Sequence, residues 1–352
     1  MRDALLNLIR SEPFTDLDAR FNALALQIFQ YQFQHSPPYQ KFCLLQNKSP
    51  NLITCWEDIP ALPVTAFKYL DIACHPIEKA FHIFHSSGTT QGFSDKRSRH
   101  AIFDLEILQT VILSHFKKYI LHDMDKMRFC ILTPSPEEAP HSSLSYMMEV
   151  LRKAYGTEES EYYIYKGRLL SDKLFYNLSE SQKPIVLMGT SFSFVHFVDF
   201  LMERPEAISL PPGSRLMDTG GFKGKSRTVS KHWLYAMIQK RLGIPIEYCC
   251  NEYGMSEITS QFYDGTAGVL HERVYHAPSQ TRWQILSPET LTPVKKGKAG
   301  LLAIYDLANI DSVSAILTED MAKEVASGFE LIGRASGAEI KGCSIELDTL
   351  LG

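Results

Sequence analysis

Apolar positions repeat along this chain with two periods, and the switches between them mark the elements. Residues 1–12 mix charged and apolar positions as a short amphipathic helix does. From 16 to 34, Phe21, Leu24, Leu26, Ile28, Phe29 and Phe33 fall mostly at helical spacing, and Pro37 and Pro38 stop that helix. Further on, short apolar runs alternate with helical patterns. Strands are expected at 81–84, 129–132, 185–188, 215–217 and 246–249. Helices are expected at 102–119, 142–155, from about 191 after a turn at Gly189, and at 230–242. After residue 262 the pattern changes to strands at 282–286, 300–305, 314–317 and 329–332. Strand–helix alternation predicts an α/β fold with mostly parallel sheets. It divides into a helical part over 1–80, an α/β core over 81–262 and a smaller β-rich subdomain over 263–352, all in one continuous domain with no internal repeat.

Composition removes several classes of function. With 36 basic and 40 acidic residues the net charge is −4, so there is no electrostatic footprint for nucleic acid. Seven cysteines is an odd number in a chain long enough to bury a core, so no complete disulfide framework is possible. That usage, with no secretory signal at the N-terminus, fits a reducing cytoplasm. The most apolar stretch, 184–202, is interrupted by Thr190, Ser191, Ser193, His196 and Asp199. It reads as a buried strand and helix, not a membrane span.

Three segments carry candidate chemistry. The first is His85-Ser86-Ser87-Gly88-Thr89-Thr90-Gln91-Gly92, which follows an expected strand. Glycines let backbone N–H groups turn towards an anion and hydroxyls add donors, so the loop suits a triphosphate. It is neither a Walker A loop nor a dinucleotide fingerprint, and its bland alternative is a polar surface turn. The second is Asn251-Glu252-Tyr253-Gly254-Met255-Ser256-Glu257. Tyr253 beside Gly254 offers a face for a purine, Ser256 a donor to phosphate, and Glu257 a ligand for Mg2+. The third is Thr318-Glu319-Asp320 with Gly333-Arg334 and Ile340-Lys341 beyond. Asp320 suits ribose hydroxyls, with Arg334 holding it or touching the nucleotide; alternatively Asp320 caps a helix starting at Met321. His85, abutting the phosphate loop, reads as a donor to phosphate or as a residue that shapes the carboxylate pocket. His196, among Phe192, Phe194, Phe197 and Phe200, reads as core. No Gly-x-Ser-x-Gly elbow and no zinc spacing is present.

In this order the three segments resemble the adenylate-forming superfamily of acyl-CoA synthetases, adenylation domains and luciferases, with Glu319 standing where that family's ribose motif has glycine. Within it the chain is most similar to LuxE-type acyl-protein synthetases, through 62–68, 141–147, Asp218-Thr219-Gly220-Gly221-Phe222-Lys223-Gly224 and Gly342-Cys343-Ser344-Ile345.

The resemblance implies ATP and Mg2+ as cofactors and a carboxylic acid, of the fatty class, as substrate. It further implies an acyl-AMP intermediate, an acyl thioester on the protein's own cysteine, and an acyl-CoA-reductase-like protein as final acceptor. It implies phosphate contacts from Ser86, Ser87, Gly88, Thr89, Thr90 and Gly92, metal binding by Glu257, and ribose contacts from Asp320 and Arg334. It also implies adenine or adenylate contacts from Gly220, Gly221, Tyr253, Gly254 and Ser256. The sequence stops about ten residues past the hinge-like motif, so the superfamily's C-terminal lid, with its catalytic lysine, is expected to be missing. Lys223 is then the leading substitute cation, with Lys225, Arg227, Lys96 and Arg99 behind it. Cys343 is the candidate nucleophile; its other reading is a small buried residue of a hinge strand. Two further functions stay open: transfer to an external acceptor (CoA, an amine or a carrier protein), and a non-catalytic nucleotide- or acyl-binding subunit.

Overall fold

The computed structural model describes residues 1–10, 16–86, 97–220, 229–270, 272–335 and 350. Two compact units interleave along the chain. One comprises 1–111, 255–260 and 274–352, the other 112–254 and 261–273.

The second unit is built on a six-stranded sheet. Its spatial order is Phe262–Tyr263, Cys249–Tyr253, Arg215–Thr219, Ile185–Thr190, Arg128–Leu132 and Glu161–Tyr162. Only the first pair is antiparallel. Ile185 to Met188, Leu216, Met217, Cys249 and Cys250 are buried, as strands covered on both faces require. Helices Ser191–Met202 and Lys231–Leu242 pack Phe194, Phe197, Leu234 and Ile238 into a core with Leu187, Leu216 and Cys249. Their starts are written in the sequence: Thr190 Oγ1 accepts from Ser193 N (3.1 Å) and Ser230 Oγ from Trp233 N (3.1 Å). Ser142 caps Ser143–Tyr155 in the same way. Gly243, at φ +71, closes Lys231–Leu242 with its N–H on Gln239 O.

The first unit holds a mixed sheet. Its order is Leu62–Pro63, Ala315–Val325, Ala299–Asp306 and Thr281–Leu286, with Gly328–Arg334 also paired to Ala315–Val325. The Leu62–Pro63 pairing is parallel and the others are antiparallel. A separate hairpin joins His82–His85 to Arg99–Ile102. Helix Leu17–His35 contributes a buried Gln32, which donates to the carbonyls of Asn309 and Ile310 and accepts from Ser314 N and Oγ. Leu350 is buried, and its carbonyl accepts from Lys41 Nζ at 2.6 Å. No helix among the described residues is long and apolar enough to cross a membrane.

Several expectations shift. Pro37 opens the helix Pro37–Leu45, since proline's missing N–H costs nothing in a first turn. Helix Leu105–Tyr119 starts later than 102, because Ile102 closes the hairpin. Gly189 lies inside a strand; a Cβ there would stand 2.7 Å from Leu132 Cβ, so close strand packing, not a turn, requires it. Residues Ile246–Tyr248 form a 3-10 turn and the strand follows at Cys249–Tyr253. Met321 sits in a strand, which removes the helix cap proposed for Asp320. His196 is exposed, its ring edge-on to Phe192 on its own helix, so it is not core.

Candidate functional site

The second unit presents candidate residues at the C-terminal ends of its parallel strands, the end at which open α/β sheets bind ligands. Thr219 and Glu252 are partners in register, so Gly220 and Tyr253 follow them on adjacent strands. Gly220 adopts φ +70, and among the described residues beyond its chain neighbours nothing lies within 4 Å of where a Cβ would stand. A ligand can therefore approach this backbone closely. Tyr253 is mostly buried, its ring 6.1 Å from Phe262.

Beneath these residues lies a polar cluster that sequence reasoning passes over. Asp218 is fully buried. Its Oδ1 accepts from Tyr235 Oη (2.5 Å) and its Oδ2 from Ser191 Oγ (2.5 Å) and from Lys231 Nζ. Lys231 also donates to Ser191 Oγ (2.7 Å) and to Gly220 O (3.3 Å). Asn251 Nδ2 donates to Asp218 O at 2.8 Å. Glu252, next to Tyr253, is buried and accepts from Thr219 Oγ1. Burial pushes its carboxyl up to about 7, and nearby Asp218 adds to the rise against the pull of Thr219 and Lys231. The signal was present in the sequence, as polar residues ending apolar strands, but strand patterning discards such positions as turn.

The first unit carries the other candidates. Ser86 follows the strand His82–His85, and its Oγ accepts from Ser98 N at 3.0 Å. Ser256 Oγ lies 3.4 Å from His85 O, and Ser256 O accepts from His100 Nδ1 at 2.8 Å. His85, read above as a phosphate donor, thus also serves through its carbonyl. Burial pushes His100 down to about 4, so it stays neutral. Glu257 is buried, and Asn309 Nδ2 holds its carbonyl at 2.9 Å. The following turn is fixed by buried Asp306, whose carboxylate accepts from Thr259 N (3.0 Å), Ser260 N (2.7 Å), Ser260 Oγ (2.8 Å) and Ala308 N (3.0 Å). Asp306 and Asn309 escaped sequence reasoning because they lie fifty positions from the motif they brace. Asp320 and Arg334 are register partners, with Arg334 Nε 3.8 Å from Asp320 Oδ1 and Nη1 3.8 Å from Glu319 Oε2. Of the two readings of Arg334, this contact matches the one in which it holds the aspartate. Arg99 is paired with Asp71 at 2.5 Å.

The segment 251–257 passes from one unit to the other after Gly254. The structure brings Gly220 and Tyr253 together in one unit, and Asp320 and Arg334 in the other. Ser87, Gly88, Thr89, Thr90, Gly92, Gly221, Lys223 and Cys343 lie outside the described residues, as do Lys96, Lys225 and Arg227. Among the described residues no group of three or more His, Cys, Asp or Glu side chains could hold a metal ion. A single carboxylate such as Glu257 still suits Mg2+, which keeps waters and phosphate oxygens for most of its shell.

The fold is that of the adenylate-forming ligases. The crystal structure of 2-hydroxyisobutyryl-CoA ligase in the postadenylation state, in complex with 2-HIB-AMP, matches with a TM-score of 0.70 at 15% identity, over 93% of this chain and 69% of the ligase. Two long-chain-fatty-acid–luciferin-component ligases are similar in sequence. That of Aliivibrio fischeri is 22% identical over 346 residues, covering 93% of this chain and 88% of its own. That of Vibrio harveyi is 19% identical over 333 residues, covering 91% and 85%. Residues 9–351 match the family model of acyl-protein synthetase, LuxE, and the chain belongs to that family. An acyl-protein synthetase is what the motif order led one to expect.

Proposed function

We propose that this protein activates a fatty acid with ATP and Mg2+ as acyl-AMP, takes the acyl group onto its own Cys343, and passes it to an acyl-CoA-reductase-like partner in the cytoplasm. The observation that carries the reading is the open Gly220 backbone beside Tyr253 at the ends of parallel strands, in a chain of this family. The six described cysteines are all free, in keeping with a reducing compartment.

In the first half-reaction a carboxylate oxygen bonds to the α-phosphorus and pyrophosphate leaves. Both reactants are anions, so positioning and charge neutralisation do most of the work. Ser86, Ser87, Gly88, Thr89, Thr90 and Gly92 hold phosphates by hydroxyl and backbone donors. Lys223 supplies positive charge, and Glu257 holds Mg2+, which neutralises phosphate charge when bound. Gly220, Gly221, Gly254 and Tyr253 receive the adenine, Ser256 donates to the adenylate, and Asp320, braced by Arg334, receives the ribose. In the second half-reaction the Cys343 thiolate attacks the acyl carbon and AMP leaves. The thiol proton passes to solvent.

Carboxylate-dependent exchange of labelled pyrophosphate into ATP, with intact-mass measurement, tests both halves. Glu257→Ala abolishes exchange. Cys343→Ser retains exchange and loses the hydroxylamine-sensitive acyl adduct. Persistence of that thioester in Cys343→Ser would refute the assigned nucleophile.

A further inference from the structure

Lys231 is the first residue of the helix Lys231–Leu242, where the helix dipole disfavours a cation. Helix stability therefore does not explain a lysine there. The explanation lies in its partners: its ammonium reaches Asp218 Oδ2, Ser191 Oγ and Gly220 O, enough acceptors to engage all of its N–H groups. Tyr235, one helical turn on, reaches the other oxygen of the same carboxylate. Ser191 Oγ lies 2.8 Å from Gly220 O as well, but its single hydrogen is shared with Asp218 Oδ2, so the Lys231 ammonium is the donor free to hold that carbonyl. Ser191 is fully buried and therefore no nucleophile, despite its contact with a lysine.

We propose that Lys231 and Asp218 form a positioning pair that fixes the Gly220 peptide for nucleotide binding in the ligase reaction. The pair rests on the function proposed above. It does not supply the charge that faces phosphate, because the three N–H groups of Lys231 are already committed. Its contribution is geometric: Gly220, at φ +70 just past the strand beside Tyr253, has a glycine's conformational freedom, and without an anchor its peptide would sample several orientations.

Removing Lys231 alone leaves Asp218 buried and uncompensated, so Lys231→Met is expected to fold poorly. The informative variants are Lys231→Arg and the double variant Lys231→Met/Asp218→Asn, which removes both charges. Each is assayed by calorimetric ATP titration, by pyrophosphate exchange against ATP concentration, and by thermal unfolding. The double variant is expected to unfold near the wild-type temperature. Its ATP dissociation constant and its KM for ATP should both rise roughly tenfold, the scale set by losing one well-placed hydrogen bond, while KM for the acid stays put. Lys231→Arg, which can keep the carboxylate and the Gly220 carbonyl as acceptors, should recover most of the affinity. Wild-type ATP affinity in a folded double variant would overturn the proposal. So would a loss of affinity that Lys231→Arg does not relieve. A wild-type protein that binds ATP yet exchanges no pyrophosphate with any acid would sink the ligase reading instead, and the calorimetric arm would still judge the pair.

Discussion

Gly254 gives the sharpest test of the packing described here. An alanine Cβ at this position would stand 2.5 Å from Glu252 Oε1. A free carboxyl would swing aside at little cost. Glu252 is buried, and its other oxygen is bonded to Thr219 Oγ1. Moving it costs the Thr219 bond and leaves buried polar atoms unpaired, about 1–3 kcal/mol, with a further 0.5–1.5 kcal/mol for an off-rotamer side chain, roughly. Gly254 is not among the described glycines with positive φ, so alanine is otherwise welcome there, and stiffening the unfolded chain returns about 0.4–1 kcal/mol. Gly254→Ala should therefore destabilise the protein by roughly 1–3 kcal/mol. In a Glu252→Ala background the obstacle is gone and the same substitution should be neutral or stabilising. Urea unfolding of the four proteins, read by tryptophan fluorescence and far-UV circular dichroism, gives the coupling energy directly. An equal loss in both backgrounds refutes the reasoning, because the clash would then lie with something other than Glu252.

Other expectations concern protons and a buried arginine. The Glu252 carboxyl is raised from its ordinary 4.5 to about 7, so its contribution is fully present below 4.5 and is lost as pH climbs through 7. Glu252→Gln should remove that decline, gaining on wild type in urea midpoint as pH rises from 4.5 to 8. His100 works in the opposite sense: lowered from 6.5 to about 4, it supports the fold above 6.5 and withdraws that support as pH falls through 4. Its imidazole proton resonances should titrate well below those of an exposed histidine, and a midpoint near 6.5 would contradict its burial. Arg215 is 1% exposed and donates to Ile120 O (2.6 Å), Gly213 O (3.0 Å) and both Asp123 oxygens. Arg215→Met should cost about 1–3 kcal/mol in urea unfolding, because it strips the Ile120 and Gly213 carbonyls of their charged donor while Asp123, half exposed, stays solvated; an unchanged urea midpoint would show these bonds to be dispensable.

The centres of the strands were legible because burial on both faces leaves uninterrupted apolar runs such as Phe129 to Leu132 and Ile185 to Met188. Their ends were not. Thr190, Asp218, Thr219, Asn251 and Glu252 look like turn residues by type, yet each continues a strand; Thr190 turns its side chain to cap the next helix, and the other four turn theirs into the polar cluster. The three motifs were legible from residue type and order alone. What supports them was not, because Asp306, Asn309 and Lys231 act on backbone atoms that only the fold brings near. In the long strand Ala315–Val325 the pattern is legible only as far as Leu317, because Glu319, Asp320, Lys323 and Glu324 break its alternation. A register shift between Met321 and Ala322 accommodates the irregular stretch.

The interleaving of the two units sets an order of events during synthesis. Most of the second unit is one uninterrupted run, 112–254, and its parallel sheet can be assembled from neighbouring segments as they emerge. The first unit must wait. Gln32 finds its carbonyl partner at Asn309 only 277 residues later, and Leu62–Pro63 stays an unpaired edge until Ala315–Val325 has been made. Helix Leu17–His35, with Phe21, Ile28 and Phe29 destined for burial, therefore remains uncovered for most of translation. Such long-range closure is slow and exposes sticky surface, so nascent chains halted before residue 315 are the species that should aggregate or recruit chaperones.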